Sequence, residues 1–273
     1  LGYKVFNNLS VGANFSYLYG DITHQSMTTI GATDTRSIKL DKFSISDYKL
    51  DFGLQYTYKL NKKNTINIGA VYTLGRTLHG DAYKYHQTGA ESNGSIYVQS
   101  QTGDTIPNPF KMPHTFGIGL TYVYDNRLTI GVDYTLQKWN TADLAWSKFN
   151  KESVEMNSRT KIAFGAEFVP SYISHNYLKR IRYRMGAYYS SPYNKVSYTS
   201  PDTGTTSFQD GAREYGVSIG FGLPMFQSKS MLNISGQYIK VSPKFKGLME
   251  ENYLRINIGL TFNERWFMKW KVD

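Results

Sequence analysis

The chain has 273 residues, 23 of them tyrosine and 24 glycine, and a formal charge of +10 from 31 basic and 21 acidic residues. It has no cysteine, which excludes disulfides, zinc–thiolate centres and thiol nucleophiles. The basic residues are scattered and carry no recognition motif, so nucleic acid is not an expected partner, and no run of about 18 apolar residues offers a membrane-crossing helix.

Period-two alternation is the dominant signal along the chain, and it predicts ten strands. The first, about 9–22, sets Leu9, Val11, Phe15, Tyr17 and Tyr19 against Ser10, Gly12, Asn14 and Ser16. The second, about 44–60, sets Tyr48, Leu50, Phe52, Leu54, Tyr56 and Tyr58 against Lys49, Asp51, Gly53 and Gln55. The others fall at about 65–78, 114–124, 128–139, 159–169, 180–190, 213–223, 230–241 and 251–262, each with one apolar and one polar face. Residues 1–6 read as the end of a strand already under way, so further strands are expected upstream.

The predicted connections alternate in length. Those at 61–64, 125–127, 170–179 and 224–229 are short, whereas those at about 23–43, 79–113, 140–158 and 191–212 are long and polar. Short turns on one rim and long loops on the other are the pattern of a transmembrane β-barrel in a bacterial outer membrane, with the short turns periplasmic. Tyr56, Tyr58, Tyr122, Tyr124 and Phe168 precede the short turns, as an interfacial aromatic girdle requires. The fold class is therefore all-β, an antiparallel up-and-down transmembrane barrel spanning residues 1–262, with an aromatic-basic periplasmic tail at 263–273 containing Trp266, Trp270, Lys269 and Lys271.

In such a barrel the apolar face meets lipid and the polar face lines a wet lumen. The polar face carries Arg159, Lys161, Arg180, Arg182, Arg184 and Arg255, with Glu167 and Glu214 nearby as partners. These six cations are the candidate lumen ligand contacts, because they could hold a carboxylate by charge-assisted hydrogen bonds.

Several stretches carry a family resemblance: MPHTFGIGLTYVYDNRLTIGVDYTLQKWN from Met112, KIAFGAEFV, RYRMGAYYSSPYN and the terminal LRINIGLTF. Over about 112–262 the chain resembles the C-terminal half of the FadL/TodX (OmpP1-type) outer-membrane transport family. The resemblance implies a 14-stranded barrel with an N-terminal plug, of which about ten strands are present here. It also implies passive uptake of hydrophobic molecules such as long-chain fatty acids. The alternative, on the same resemblance, is a non-transporting scaffold subunit of an outer-membrane secretion or barrel-assembly complex.

No catalytic or metal site is expected. The histidines His24, His79, His86, His114 and His175 lack metal-ligand spacing, and neither a nucleophile elbow nor a phosphate loop occurs. No cofactor is expected. The expected partners are outer-membrane lipid and lipopolysaccharide, hydrophobic small molecules, and other outer-membrane or periplasmic proteins.

Overall fold

The computed structural model describes residues 1–30, 35–92, 95–141, 155–199, 205–225, 230–244 and 249–262. The predicted tail at 263–273 lies outside the described residues, as do parts of the long connections. In chain order the strands are β1 (Gly2–Lys4), β2 (Leu9–Ile30), β3 (Thr35–Lys59), β4 (Asn64–Thr73), β5 (Arg76–Thr77), β6 (Gly80–Ser92), β7 (Ser95–Pro107), β8 (Lys111–Met112), β9 (Thr115–Tyr124) and β10 (Leu128–Gln137). They continue with β11 (Arg159–Phe168), β12 (Arg182–Ser190), β13 (Lys195–Thr199), β14 (Thr206–Asp210), β15 (Ala212–Pro224), β16 (Met231–Pro243) and β17 (Glu251–Thr261).

The main sheet runs β1-β2-β3-β4-β9-β10-β11-β12-β15-β16-β17, every neighbouring pair antiparallel. It is the predicted up-and-down wall, with β1 and β17 at its two ends and not paired with each other. Within it the alternation of the sequence becomes two physically distinct faces. Leu120 on β9 sits opposite Val132 on β10 and Ile68 on β4, while the adjacent Gly119 sits opposite Asp133 and Gly69. A one-residue slip would exchange the two faces along the whole strand, so the pattern fixes the register.

Almost nothing covers the apolar face. Leu120 is 50 %, Ile219 62 % and Ile258 72 % exposed, whereas the buried apolar side chains among the described residues are Leu78, Ala82, Val169, Ile181 and Ile239. A water-soluble domain would do the opposite, because each fully buried aliphatic side chain contributes about 1.5–3 kcal/mol. The apolar face is also bounded by aromatics at both ends. Near the short turns stand Tyr56, Tyr122, Tyr124, Phe168, Tyr183 and Phe221. At the other end Phe15 stacks on Tyr48 at 5.7 Å, Tyr72 meets Phe116 at 5.0 Å, and Tyr189 meets Tyr215 at 5.1 Å. Tyr183 to Tyr189 and Phe116 to Tyr124 span roughly 20 and 27 Å of strand at about 3.4 Å per residue, comparable with an apolar band of roughly 25 Å. The second aromatic row was not expected from the sequence.

Three of the predicted long loops prove to contain strands. β2 and β3 run on past the upper aromatic row and stay paired from Leu9↔Tyr56 to Ile30↔Thr35. Above Ile45, β3 exchanges its partner β4 for β6, which pairs with it from Gly80 to Ala90. β7 then completes a four-stranded sheet, β2-β3-β6-β7, that projects beyond the wall. A second, smaller hairpin, β13–β14, lies in the 191–212 connection. The alternation signal missed these segments because polar residues stand on both of their faces, so their sequences (HQSMTTI, SIKLDKFS, AYKYHQTG) carry no continuous apolar stripe.

The chain between β4 and β6 is locked at the point of exchange. The Asp47 side chain on β3, 2 % exposed, accepts hydrogen bonds from the Tyr48 N–H at 2.7 Å and the His79 N–H at 2.8 Å. It also contacts the His79 ring at 3.2 Å and pairs with Arg76 at 3.3 Å, and Arg76 in turn lies 3.8 Å over the Tyr48 ring. Burial alone would raise the Asp47 pKa, but the two N–H donors, the imidazole and the guanidinium outweigh it and hold it below the usual carboxylate range. With the folded value depressed, this anchor stabilises the connector at any pH above about 4. It is lost as the pH falls through the lowered value. Asp47→Asn should therefore loosen residues 74–79 by about 2 kcal/mol at neutral pH. Hydrogen exchange of the His79 amide would report it, and a wild-type amide equally unprotected at pH 7 would contradict the anchor.

Candidate functional site

The polar face of β11, β12, β15 and β16 carries a connected charged panel. Antiparallel register places Glu167 directly across from Arg184. Glu167 accepts from Arg184 Nε at 2.7 Å and from Arg182 Nη1 at 3.1 Å, and Arg184 Nη1 reaches on to Asn233 Oδ1 at 2.8 Å. Higher on the same face, Arg159 Nε donates to Ser190 Oγ at 2.7 Å, the Lys161 ammonium lies 4.7 Å from the Tyr188 ring, and the Tyr188 hydroxyl donates to Glu214. Arg255 sits on β17 across from Gln237.

The structure thus divides the six predicted cations. Arg182 and Arg184 share one acid at the short-turn end, and Arg159 and Lys161 face Ser190, Tyr193 and Tyr188 at the other end. Arg255 stands two strands away from β15. Arg180 departs from expectation. The strand begins at Arg182, and Arg180 closes a 3-10 turn, Tyr177–Arg180, with its guanidinium 5.6 Å from the Tyr177 ring. The Asn176 side chain caps that turn by accepting from the Leu178 N–H, so the Arg180-Arg182-Arg184 alternation breaks one residue before the strand starts. Sequence reasoning anticipated Glu167 and Glu214 but missed Ser190, Asn233 and Tyr188, whose types are common on any wet strand face.

Glu167 and its two arginines are about a third exposed, so water screens the pair and each contact contributes modestly. Glu167→Gln removes the charge from both contacts at once and should cost about 1–2 kcal/mol in denaturant unfolding. The double variant with Arg184→Gln should recover part of that loss, and strict additivity would show that the two side chains do not interact.

A second region of the polar face is built from backbone. Gly12, Gly53, Gly69 and Gly119, with Thr121 and Asp133, floor a recess of about 480 Å³ across β2, β3, β4, β9 and β10. Near it Asp51 accepts from Lys49 at 2.9 Å and from Thr73 at 2.7 Å. Among the described residues no group of His, Asp or Glu is arranged to hold a metal ion.

The solved structures that this chain resembles share its fold at low identity. A FadL homologue from Pseudomonas aeruginosa aligns with a TM-score of 0.53 and 13 % identity, over 89 % of this chain and 58 % of its own. A mutant of the monoaromatic hydrocarbon channel TodX aligns with a TM-score of 0.54 and 13 % identity, over 94 % of this chain and 66 % of its own. The chain therefore spans about 58–66 % of the length of these structures. They show the fold alone, an all-β antiparallel wall of the kind that FadL-type β-barrels have. No curated protein matches the chain. The resemblance read from the sequence holds for the fold; the BamG model matches residues 1–273, and this chain belongs to the BamG family.

Proposed function

We propose that the chain forms a wall of a bacterial outer-membrane barrel, short turns toward the periplasm, that serves as a scaffold subunit in a larger assembly for secretion or barrel insertion and performs no catalysis. The observation that carries this reading is the lumen panel. Glu167 is held by Arg182 and Arg184, Arg159 by Ser190, and Glu214 by Tyr188. Pockets for apolar ligands are lined mainly by hydrophobic and aromatic side chains. Here the large apolar residues stand on the opposite face, and the described polar face holds Glu167, Glu214 and Arg159 on wall neighbours. The projecting sheet β2-β3-β6-β7 supplies a surface for partners outside the membrane. Extraction in a mild detergent followed by mass spectrometry tests the proposal. Stoichiometric co-purifying membrane proteins are expected, and a barrel recovered alone under conditions that keep other complexes intact would refute it.

A second reading is favoured by the glycine-floored recess and by the channels that share the fold: passive uptake of hydrophobic molecules such as long-chain fatty acids. Arg159, Lys161, Arg182, Arg184 and Arg255 would then be the contacts for an acidic head group, without Arg180, which stands in the Tyr177–Arg180 turn. A deletion strain with unchanged uptake of fatty acids and aromatic hydrocarbons, together with purified protein free of bound lipid, would remove this reading.

A further inference from the structure

The two rims of the wall differ in charge. The short turns at 60–63, 125–127 and 169–181 carry Lys62, Lys63, Arg127, Lys179 and Arg180 against one acid, Asp125, among the described residues. At the opposite rim bases and acids are matched, with Arg76 on Asp47, Lys195 on Glu155 at 2.6 Å and Lys240 on Glu250 at 2.6 Å.

The basic residues of the short-turn rim are spread along the sheet, from the β3–β4 turn to the β11–β12 turn, and do not form one patch. They lie immediately beyond the aromatic row of Tyr58, Tyr124 and Phe168. Apolar side chains are interleaved with them: Leu60 is 52 %, Leu178 62 % and Ile173 91 % exposed. The longest of these turns is ordered by its own contacts. The Tyr172 hydroxyl donates to the Asn126 carbonyl, Arg127 donates to the Pro170 carbonyl, and the Ser171 N–H donates to the Lys179 carbonyl at 2.8 Å. Ile173 and Leu178 are therefore held out from the rim by a built turn. Cations at headgroup depth, apolar knobs between them and an aromatic row just above are what a lipid interface stabilises. The β1–β2 turn, residues 5–8, carries no charge, so the cations stand on three of the described short turns; a protein partner would engage one sector, whereas a headgroup layer meets turns spread along the sheet.

We infer that the short-turn rim is a docking ring for anionic phospholipid headgroups. The inference rests on the outer-membrane placement proposed above. The test reconstitutes the full chain in vesicles of phosphatidylcholine with phosphatidylglycerol, re-extracts it gently, and measures the retained lipids by native mass spectrometry. Phosphatidylglycerol should be enriched over its bulk fraction by about fivefold or more, since each rim cation attracts an anionic headgroup. The triple variant Lys62→Gln, Lys63→Gln, Lys179→Gln alters exposed side chains only and should lose most of that enrichment. A control altered on the projecting sheet, Lys39→Gln with Lys42→Gln, should keep it. Equal retention by the triple variant and the wild type overturns the inference, as does an unchanged lipid profile with loss of a co-purifying protein, which would assign the charge to a protein partner. Failure of every variant and of the wild type to enter any vesicle would instead overturn the placement itself, and the inference with it.

Discussion

Leu120→Arg is expected to lower folding stability in a bilayer by about 2–4 kcal/mol, while Thr121→Arg, one residue along, should change it by less than about 1 kcal/mol. Leu120 sits midway between the two aromatic rows, opposite Val132 and Ile68, and half of its surface is open. A guanidinium there would stand at the centre of the hydrocarbon, too far from either interface to reach water without cost. Thr121 faces the other way, beside Gly131 and across from Asn67, where an added cation meets a wet polar surface and Asp133 lies close by. The pair differs by one position in sequence and by the whole thickness of the wall in environment. Urea unfolding of the two variants in lipid vesicles measures the difference. If both variants were equally stable, or if Leu120→Arg made the protein more soluble and no less stable, the apolar face would not be touching lipid.

Gly80→Ala should detach the β6–β7 hairpin from the wall. Gly80 opens β6 directly across from Ile45, and a Cβ on it would stand 2.1 Å from the Ser44 carbonyl oxygen and 3.1 Å from the Ile45 Cα. Both obstacles are backbone, so no side chain can rotate away, and the strands must separate where β3 changes partner. The same residue closes the base of the hairpin, its carbonyl accepting from the Asn108 N–H at 2.6 Å. Asn108 itself has φ 51°, a left-handed conformation that asparagine tolerates better than most residues. Overpacking of this kind costs about 1–3 kcal/mol, and here the cost falls on one junction. Limited proteolysis should cut within 79–113 at least tenfold faster than in the wild type, while the melting of the barrel wall stays within a few degrees. An unchanged cleavage rate would mean that the hairpin is held by contacts other than its root.

The wall was legible in the sequence because each of its strands separates an oily environment from a wet one, and that contrast imprints an alternation such as Ile118, Leu120 and Tyr122 against Gly117, Gly119 and Thr121. The order of the wall strands followed from the alternating connection lengths. What could not be read was structure without that contrast. Residues 23–30, 35–43, 80–92 and 95–107 pair as strands through backbone hydrogen bonds that every residue type can make, and their Thr, Ser, Lys and His side chains announce no apolar face. The lumen panel was half legible. The cations stood out by charge, but their partners Ser190, Asn233 and Tyr188 are chosen by register across strands distant in sequence. Arg180 fell out of the panel because Asn176 caps a 3-10 turn, a local hydrogen bond that outweighs the alternation continuing through it.

β3 is 25 residues long and belongs to two sheets, holding β4 inside the wall and β6 outside it while β2 accompanies it throughout. The projecting part is therefore a mast stepped through the hull, not a streamer tied to the deck. Its direction is set by β3 where that strand leaves the wall, so a molecule that grips the paired stretches of β3 and β6 grips the wall as well. Little chain freedom remains to be lost when it does so, which favours tight and oriented association.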